Sequence, residues 1–239
     1  MKRKLFLFFI VCGTVISVNS QTIPPFVPEK GLIGWWPFNG NADDESMNGN
    51  EGEVHGAKLT TNRFDKPNKA YSFNGIYDYI SVDMLNSTLQ LKNNFSFSVW
   101  VYLNYKPNSV PYIMSKGDQS SNEYSLGCSD NQFLFFENPS SQNLTNISCA
   151  NLYSTWTNIT CVVENGNAKI YIDGKLRSNR ILQKNILPSS LALTFGAMFE
   201  IGTNTPVRDS YLTGKLDDIG FWNRVLNEEE ILLLFKNDE

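Results

Sequence analysis

The sequence predicts an all-β protein, a two-sheet antiparallel β-sandwich with a short C-terminal helix. Three observations carry that expectation. Residues 95–103 alternate strictly, with Phe95, Phe97, Val99, Val101 and Leu103 on one face and Ser96, Ser98, Trp100 and Tyr102 on the other, the period of a strand that covers a core with one side. Short runs of the same kind recur along the chain and are punctuated by turn residues, among them Asn165-Gly166 and Asp173-Gly174. No amphipathic helices alternate with these runs, which argues against a parallel sheet with crossover helices.

Taken in order, residues 1–20 begin with Lys2, Arg3 and Lys4, continue through an apolar stretch from Leu5 to Val11 and end at Val18-Asn19-Ser20. These are the three regions of a secretory signal, with cleavage expected before Gln21. The apolar run is shorter than the ~20 residues that a membrane span needs, so the mature chain is expected to be secreted, periplasmic or at the cell surface without a span of its own. Residues 21–30 carry Pro24, Pro25 and Pro28 and read as an extended linker. A single domain is expected over 31–239, with strands at 32–38, 70–73, 78–82, 95–103, 110–114, 123–127, 132–136, 156–163, 168–172, 198–201 and 216–222. Near the end Asn227 is a good N-cap, Glu230 stands in capping-box position, and Ile231, Leu232 and Phe235 supply an apolar stripe.

Composition excludes several functions. The 239 residues hold 20 Lys and Arg against 24 Asp and Glu, a net charge of -4, and removing the basic leader makes the remainder more acidic still. Binding to nucleic acid needs clustered cations, so no nucleic-acid partner is expected. A single histidine, His55, excludes multi-histidine zinc and iron sites. It is also the only base available to a serine hydrolase, and no Gly-x-Ser-x-Gly elbow accompanies it. Without Cys12 of the leader, the cysteines are Cys128, Cys149 and Cys161, which permit one disulfide in three pairings. Cys161 alternates with Ile159 and Val163 and reads as a small buried apolar residue. Asn86, Asn94, Asn143, Asn146 and Asn158 lie in glycosylation sequons.

Gly31-Leu-Ile-Gly-Trp-Trp-Pro-Phe-Asn-Gly-Asn-Ala-Asp-Asp-Glu-Ser46 resembles the opening of laminin-G-like, concanavalin-A-like jelly-roll domains of exported bacterial proteins. Four later segments agree in order: Tyr71 to Ile80, Phe95 to Val101, Lys169-Ile-Tyr-Ile-Asp-Gly174 and Gly214 to Leu226. The resemblance covers about 31 to 236 and implies the jelly-roll form of the sandwich. It departs from the family pattern at Met47, which stands where the family usually has glycine. It also has hydrolytic relatives, whose catalytic strand reads Glu-x-Asp-x-x-Glu or Glu-x-Asp-x-Glu and points paired carboxylates into one cleft. No glutamate here has Asp two residues on; Glu123 and Glu200 stand alone, and the adjacent Asp217-Asp218 are expected on opposite faces of a strand.

The Asp44-x-Ser46-x-Asn48-Gly49 stretch resembles half of an EF-hand loop, but His55 occupies the position of the bidentate glutamate. Another kind of calcium loop and a polar turn are both compatible with it. With the resemblance, the expectation is a structural Ca²⁺ held by Asp44, a carbonyl near Gly75, and Asp217 or Asp218. Trp35, Trp36, Trp100, Trp156 and Trp222 fall on expected strands and read as core, whereas Tyr105, Tyr112 and Tyr153 fall at strand ends and are the ligand-binding candidates. The expected function is an exported, non-catalytic, lectin-like module that binds glycan or a protein partner. A glycoside hydrolase or its accessory part, and a cell-surface adhesion protein, are the alternatives.

Overall fold

The alternating run that dominates the sequence becomes the spine of a two-layer sandwich in the computed structural model. It describes residues 23–83, 87–91, 93–104, 110–117, 124–129, 132–136, 144–148, 152–182, 191–200, 202–203 and 205–237. The expected leader and Tyr105 lie outside the described residues. The strands are β1 Leu32–Trp36, β2 Gly52–His55, β3 Lys58–Thr60, β4 Ala70–Asn74, β5 Tyr79–Val82, β6 Asn94–Leu103, β7 Tyr112–Lys116, β8 Tyr124–Ser129, β9 Gln132–Phe136, β10 Leu144–Ser148, β11 Trp156–Glu164, β12 Asn167–Ile172, β13 Lys175–Ile181, β14 Leu193–Phe195 and β15 Thr213–Trp222, followed by helix α1 Glu228–Lys236.

One sheet has the order β13-β12-β11-β6-β15-β4-β3, with β1 also paired to β15; the other has the order β10-β9-β8-β7-β14-β5-β2. Every strand pairing is antiparallel. The first strand lies in one sheet with the last and pairs with it directly: Trp35 lies opposite Gly220 and Trp36 opposite Ile219. β6 buries Phe95, Phe97, Val99, Val101 and Leu103 between the sheets, as its alternation requires. Trp36 fills the same layer edge-on to Phe195 and Phe221, at 5.1 and 5.9 Å between ring centres.

A third layer covers the outer face of the eight-stranded sheet. Trp35, Val162, Tyr171 and Trp222 pack there against Val27, Leu226, Ile231 and Leu234. Residues 23–30 are therefore not a free linker. Val27 is buried, Phe26 packs edge-on to Trp35, and the Trp222 indole N–H donates to the Pro28 carbonyl at 2.7 Å. The prolines that exclude this segment from a ladder leave it free to lie across a sheet instead. The helix stripe also differs from expectation: Ile231 and Leu234 are buried, while Leu232 and Leu233 are exposed. Phe235 stacks on Trp100 with 6.0 Å between ring centres.

Over the described residues 198–200 of the expected 198–201 strand, Phe199 makes an isolated bridge to Pro206, and the strand of that region is β14. Cys161 is free and buried, which raises its thiol pKa well above the ordinary value, and Cys128 is disulfide-bonded. Asn158 is buried and its amide donates to Ser98 Oγ at 3.2 Å, so that sequon is closed to modification in the folded chain.

Two predictions follow from local geometry. Met47 has φ +67° and is 82% exposed, the left-handed conformation that costs a side chain about 1–2 kcal/mol. Met47→Gly should raise stability by roughly 0.5–1 kcal/mol, since glycine's greater freedom in the unfolded chain offsets part of the gain; urea unfolding measures it. At α1, the Glu230 carboxylate accepts three times, from Arg224 Nη1 and Nη2 and from the Asn227 backbone N–H, and the Glu230 backbone N–H donates in return to Asn227 Oδ1, completing a capping box.

The Arg224 hydrogen bonds hold the Glu230 carboxyl below its ordinary pKa. A lowered folded pKa means that its stabilisation is complete above the unfolded pKa and is lost as pH falls through the folded one. Glu230→Ala should thus cost about 1 kcal/mol at neutral pH, and the difference from wild type should shrink as the pH drops below the usual carboxylate range.

Candidate functional site

The opening loop is tied down by one carboxylate. Asp44 is 5% exposed. Its Oδ1 accepts from the backbone N–H of Trp35 and of Ser46, both at 2.9 Å, and its Oδ2 from the Asn50 backbone and side-chain amides at 3.1 and 3.0 Å. Asn50 passes the connection on, donating to the Ile33 carbonyl and accepting from Thr88 Oγ1, while its carbonyl accepts the Trp36 indole N–H. Four N–H groups converging on the two oxygens supply the charge compensation that a buried carboxylate needs. Next in the chain, burial raises the Glu45 carboxyl pKa, opposed by an Asn39 hydrogen bond and by Lys69.

Asp217 and Asp218 point to one partner, contrary to the alternation expected of them. The β15–β6 register shifts between Asp217 and Gly220, and Asp218 has φ +44°. A bulge of this kind re-aims a side chain. Arg63, on the loop between β3 and β4, donates from Nη1 to Asp217 Oδ2 at 2.6 Å and from Nη2 to Asp218 Oδ2 at 2.8 Å, with its side chain 5% exposed.

The four residues expected to share a calcium ion do not converge. Asp44 binds the N–H of Trp35, which lies opposite Gly220, whereas Gly75 follows Asn74, which lies opposite Thr213. Seven residues of strand separate those points by roughly 20 Å, while the ligands of one Ca²⁺ lie within about 2.6 Å of it. The donors around these carboxylates are already N–H groups and a guanidinium, so the set does not fit a cation. Among the described residues no group of three His, Cys, Asp or Glu side chains is placed to hold a metal ion.

The tyrosine candidates are also relocated. Tyr112 is buried, and burial pushes its hydroxyl pKa up to about 12. Tyr153 packs against the inter-sheet core, its hydroxyl 3.6 Å from Cys128 Sγ. Tyr112 is thus enclosed, and Tyr153 is half-buried.

An open groove of about 430 Å³ lies instead on the outer face of the seven-stranded sheet, lined in part by Glu53, His55, Tyr79, Ser81, Asp83 and Phe199. Its construction follows from β5, where Ile80 and Val82 enter the core and Tyr79 and Ser81 face out. β2 places Glu53 opposite Ser81 and His55 opposite Tyr79. The His55 and Tyr79 rings stack at 4.3 Å and 12°, Phe199 meets Tyr79 edge-on, and His55 Nε2 lies 2.9 Å from Ser81 Oγ. Partial burial, with a contribution from Glu53, raises the Tyr79 hydroxyl pKa. Aromatic rings beside carboxylates and a hydroxyl offer apolar contact and hydrogen-bond acceptors in the same groove. The alternation of Tyr79-Ile-Ser-Val82 signals that Tyr79 and Ser81 share the outer face, but Phe199 comes from an irregular segment and carries no such signal.

Asp44→Ala strands four N–H donors, three of them on the backbone, and should lower stability by about 3–5 kcal/mol. The expected loss is the same in calcium and in chelator; a destabilisation seen only with calcium present would show that Asp44 holds the ion.

Comparison with known proteins agrees with this architecture. Residues 74–232 match the family model described as the concanavalin A-like lectin/glucanases superfamily. The adhesion G-protein coupled receptor V1 of Danio rerio is 26% identical over 166 residues, and the match spans 66% of this chain but only 3% of the receptor. Domain 4 of AbnA, an extracellular arabinanase from Geobacillus stearothermophilus solved with arabinotriose, superposes with a TM-score of 0.66 at 16% identity, covering 87% of this chain and 100% of that one. The binding domain of botulinum neurotoxin DC, solved in complex with SialylT, has a TM-score of 0.66 at 21% identity over 87% of this chain and 51% of the other. At these identities the structural likeness shows the fold alone. The family match covers more than half of the chain and ends in the helix that packs on the β1–β15 sheet, and the chain belongs to the concanavalin A-like lectin/glucanases superfamily.

Proposed function

We propose that this chain is an exported, non-catalytic binding module that recognises glycan through the groove on the outer face of the seven-stranded sheet. The observation that carries the reading is the stacked His55–Tyr79 pair with the Phe199 edge, set beside Glu53, Ser81 and Asp83. Ring faces and edges take up the C–H surface of a sugar, and carboxylates and a hydroxyl accept its O–H groups. The arabinotriose bound by the arabinanase domain and the SialylT bound by the toxin domain support the substrate class. Export rests on the expected leader over residues 1–20.

Two features favour binding over hydrolysis. Glu51, also in the groove, has its Oε2 engaged by the Asp44 N–H at 2.6 Å, and the Glu53 side chain is 79% exposed. A retaining or inverting dyad needs a protonated acid shielded from water beside a second carboxylate at fixed separation, and neither residue is placed in that way. A protein-binding reading has one support, that the same toxin domain is also solved with rat synaptotagmin II.

A glycan array run in calcium and in chelator tests the proposal. Binding to at least one saccharide class is expected under both conditions, weakened tenfold or more by Tyr79→Ala, with no turnover of β-glucan. An array with no saccharide bound, or binding that survives both Tyr79→Ala and Glu53→Gln, removes the groove from consideration.

A further inference from the structure

On the opposite side of the sandwich a second depression, about 460 Å³, is lined by Arg63, Phe64, Trp100, Phe235, Lys236 and Asn237. Three elements build it: the β3–β4 loop, the outer face of β6 and the end of α1. Three of its residues each present a buried polar atom with no hydrogen-bond partner, namely Arg63 Nε, Trp100 Nε1 and Asn237 Oδ1. The side chains are held in place by other contacts. The Arg63 terminal nitrogens are engaged by Asp217 and Asp218, its guanidinium carbon lies 4.5 Å from the centres of the Trp100 and Phe64 rings, and the Asn237 amide donates to Asp218 Oδ2 at 3.3 Å. Trp100 and Asn237 are each 7% exposed.

A buried donor or acceptor left unpaired is costly, and folded proteins leave few of them. Two N–H donors and one carbonyl acceptor gathered at one depression are the complement of hydroxyl groups, which accept and donate with the same oxygen. The local charge selects further. One guanidinium faces two carboxylates, and Lys236 stands exposed at the rim, so the interior carries no surplus positive charge to attract an anion. Phe64 and Phe235 supply apolar wall. The volume falls within the range of small-ligand sites.

We propose that this depression is a second ligand site that takes a neutral saccharide, whose hydroxyl oxygens accept from Trp100 Nε1–H and Arg63 Nε–H and whose hydroxyl proton goes to Asn237 Oδ1. The site lies on the eight-stranded sheet, stands on different residues from the groove at Tyr79, and does not depend on it. Two saccharide sites on opposite outer faces make one chain able to bridge two glycan strands.

The indole N–H signal of Trp100 in a nitrogen-15 correlation spectrum reports directly on the site, and Trp100→Phe identifies it among the five tryptophans. The full chain is titrated separately with D-glucose, D-galactose, L-arabinose and N-acetyl-D-glucosamine to about 100 mM, a hundredfold above a millimolar Kd. At least one sugar should shift that signal saturably, in wild type and in Tyr79→Ala alike, and Asn237→Ala should weaken the effect tenfold or more while leaving the rest of the spectrum in place. No saturable shift with any of the four means that the three groups hold water only and overturns the proposal. So does an equal response to glycerol, a stronger one to sulfate, or a shift that persists unchanged in Asn237→Ala.

Discussion

The architecture turns on the way β15 shares its edges. Along one side it pairs with β6; along the other it pairs first with β4, through Thr213–Leu216, and then with β1, through Ile219–Trp222. Two neighbours cannot occupy one edge without a break between them, and the break falls at Asp217–Asp218, where the register shifts and φ turns positive. A bulge there would expose two carboxylates in the middle of a sheet. Arg63 closes it, and the charges are retained because each finds a nitrogen of the same planar guanidinium. Removing one partner of such a cluster leaves the others buried without compensation, which makes the Arg63 position more sensitive than its place on a connecting loop suggests.

The same junction organises the layer outside the sheet. β1 and β15 carry Trp35 and Trp222 on their outer faces, and these large apolar surfaces require cover. The Pro24–Pro28 segment and α1 provide it from opposite ends of the chain, and the Arg224 side chain joins them by donating to the Lys30 carbonyl and to Glu230. Residues 23–30 and helix α1 are thus both fixed by hydrogen bonds and apolar contact around one pair of strands.

The two open depressions lie on the two outward surfaces of the sandwich and differ in character. The Tyr79 groove is built from cross-strand pairs of neighbouring strands, with its carboxylates in reach of water. The Trp100 depression is built where a loop, a sheet and a helix end meet, and its polar atoms are buried. The first suits an extended ligand lying across strands; the second suits a smaller group entering end-on.

The sequence by itself determined the fold class, the core face of β6, the capping box of α1 and the buried state of Cys161, because each rests on local periodicity or on a short motif whose geometry is intrinsic. Met47 was marked only by the resemblance, as a residue standing where the family usually has glycine, and its left-handed backbone is a finding of the structure. The strands that periodicity did not predict include the four that end the two sheet orders, β13, β3, β10 and β2. An edge strand has a neighbour on one side only, so its side chains are under less demand to alternate; β13, with Lys175, Arg177, Asn179 and Arg180, is polar along most of its length. Tertiary structure alone decided the candidate sites. Whether Asp217 and Asp218 diverge or converge depends on a bulge set by two other strands, whether Tyr112 is open or enclosed depends on what packs over it, and Arg63, Trp100 and Asn237 meet only because β3–β4, β6 and α1 are brought to one corner. Those are contacts between segments distant in sequence, and no local pattern encodes them.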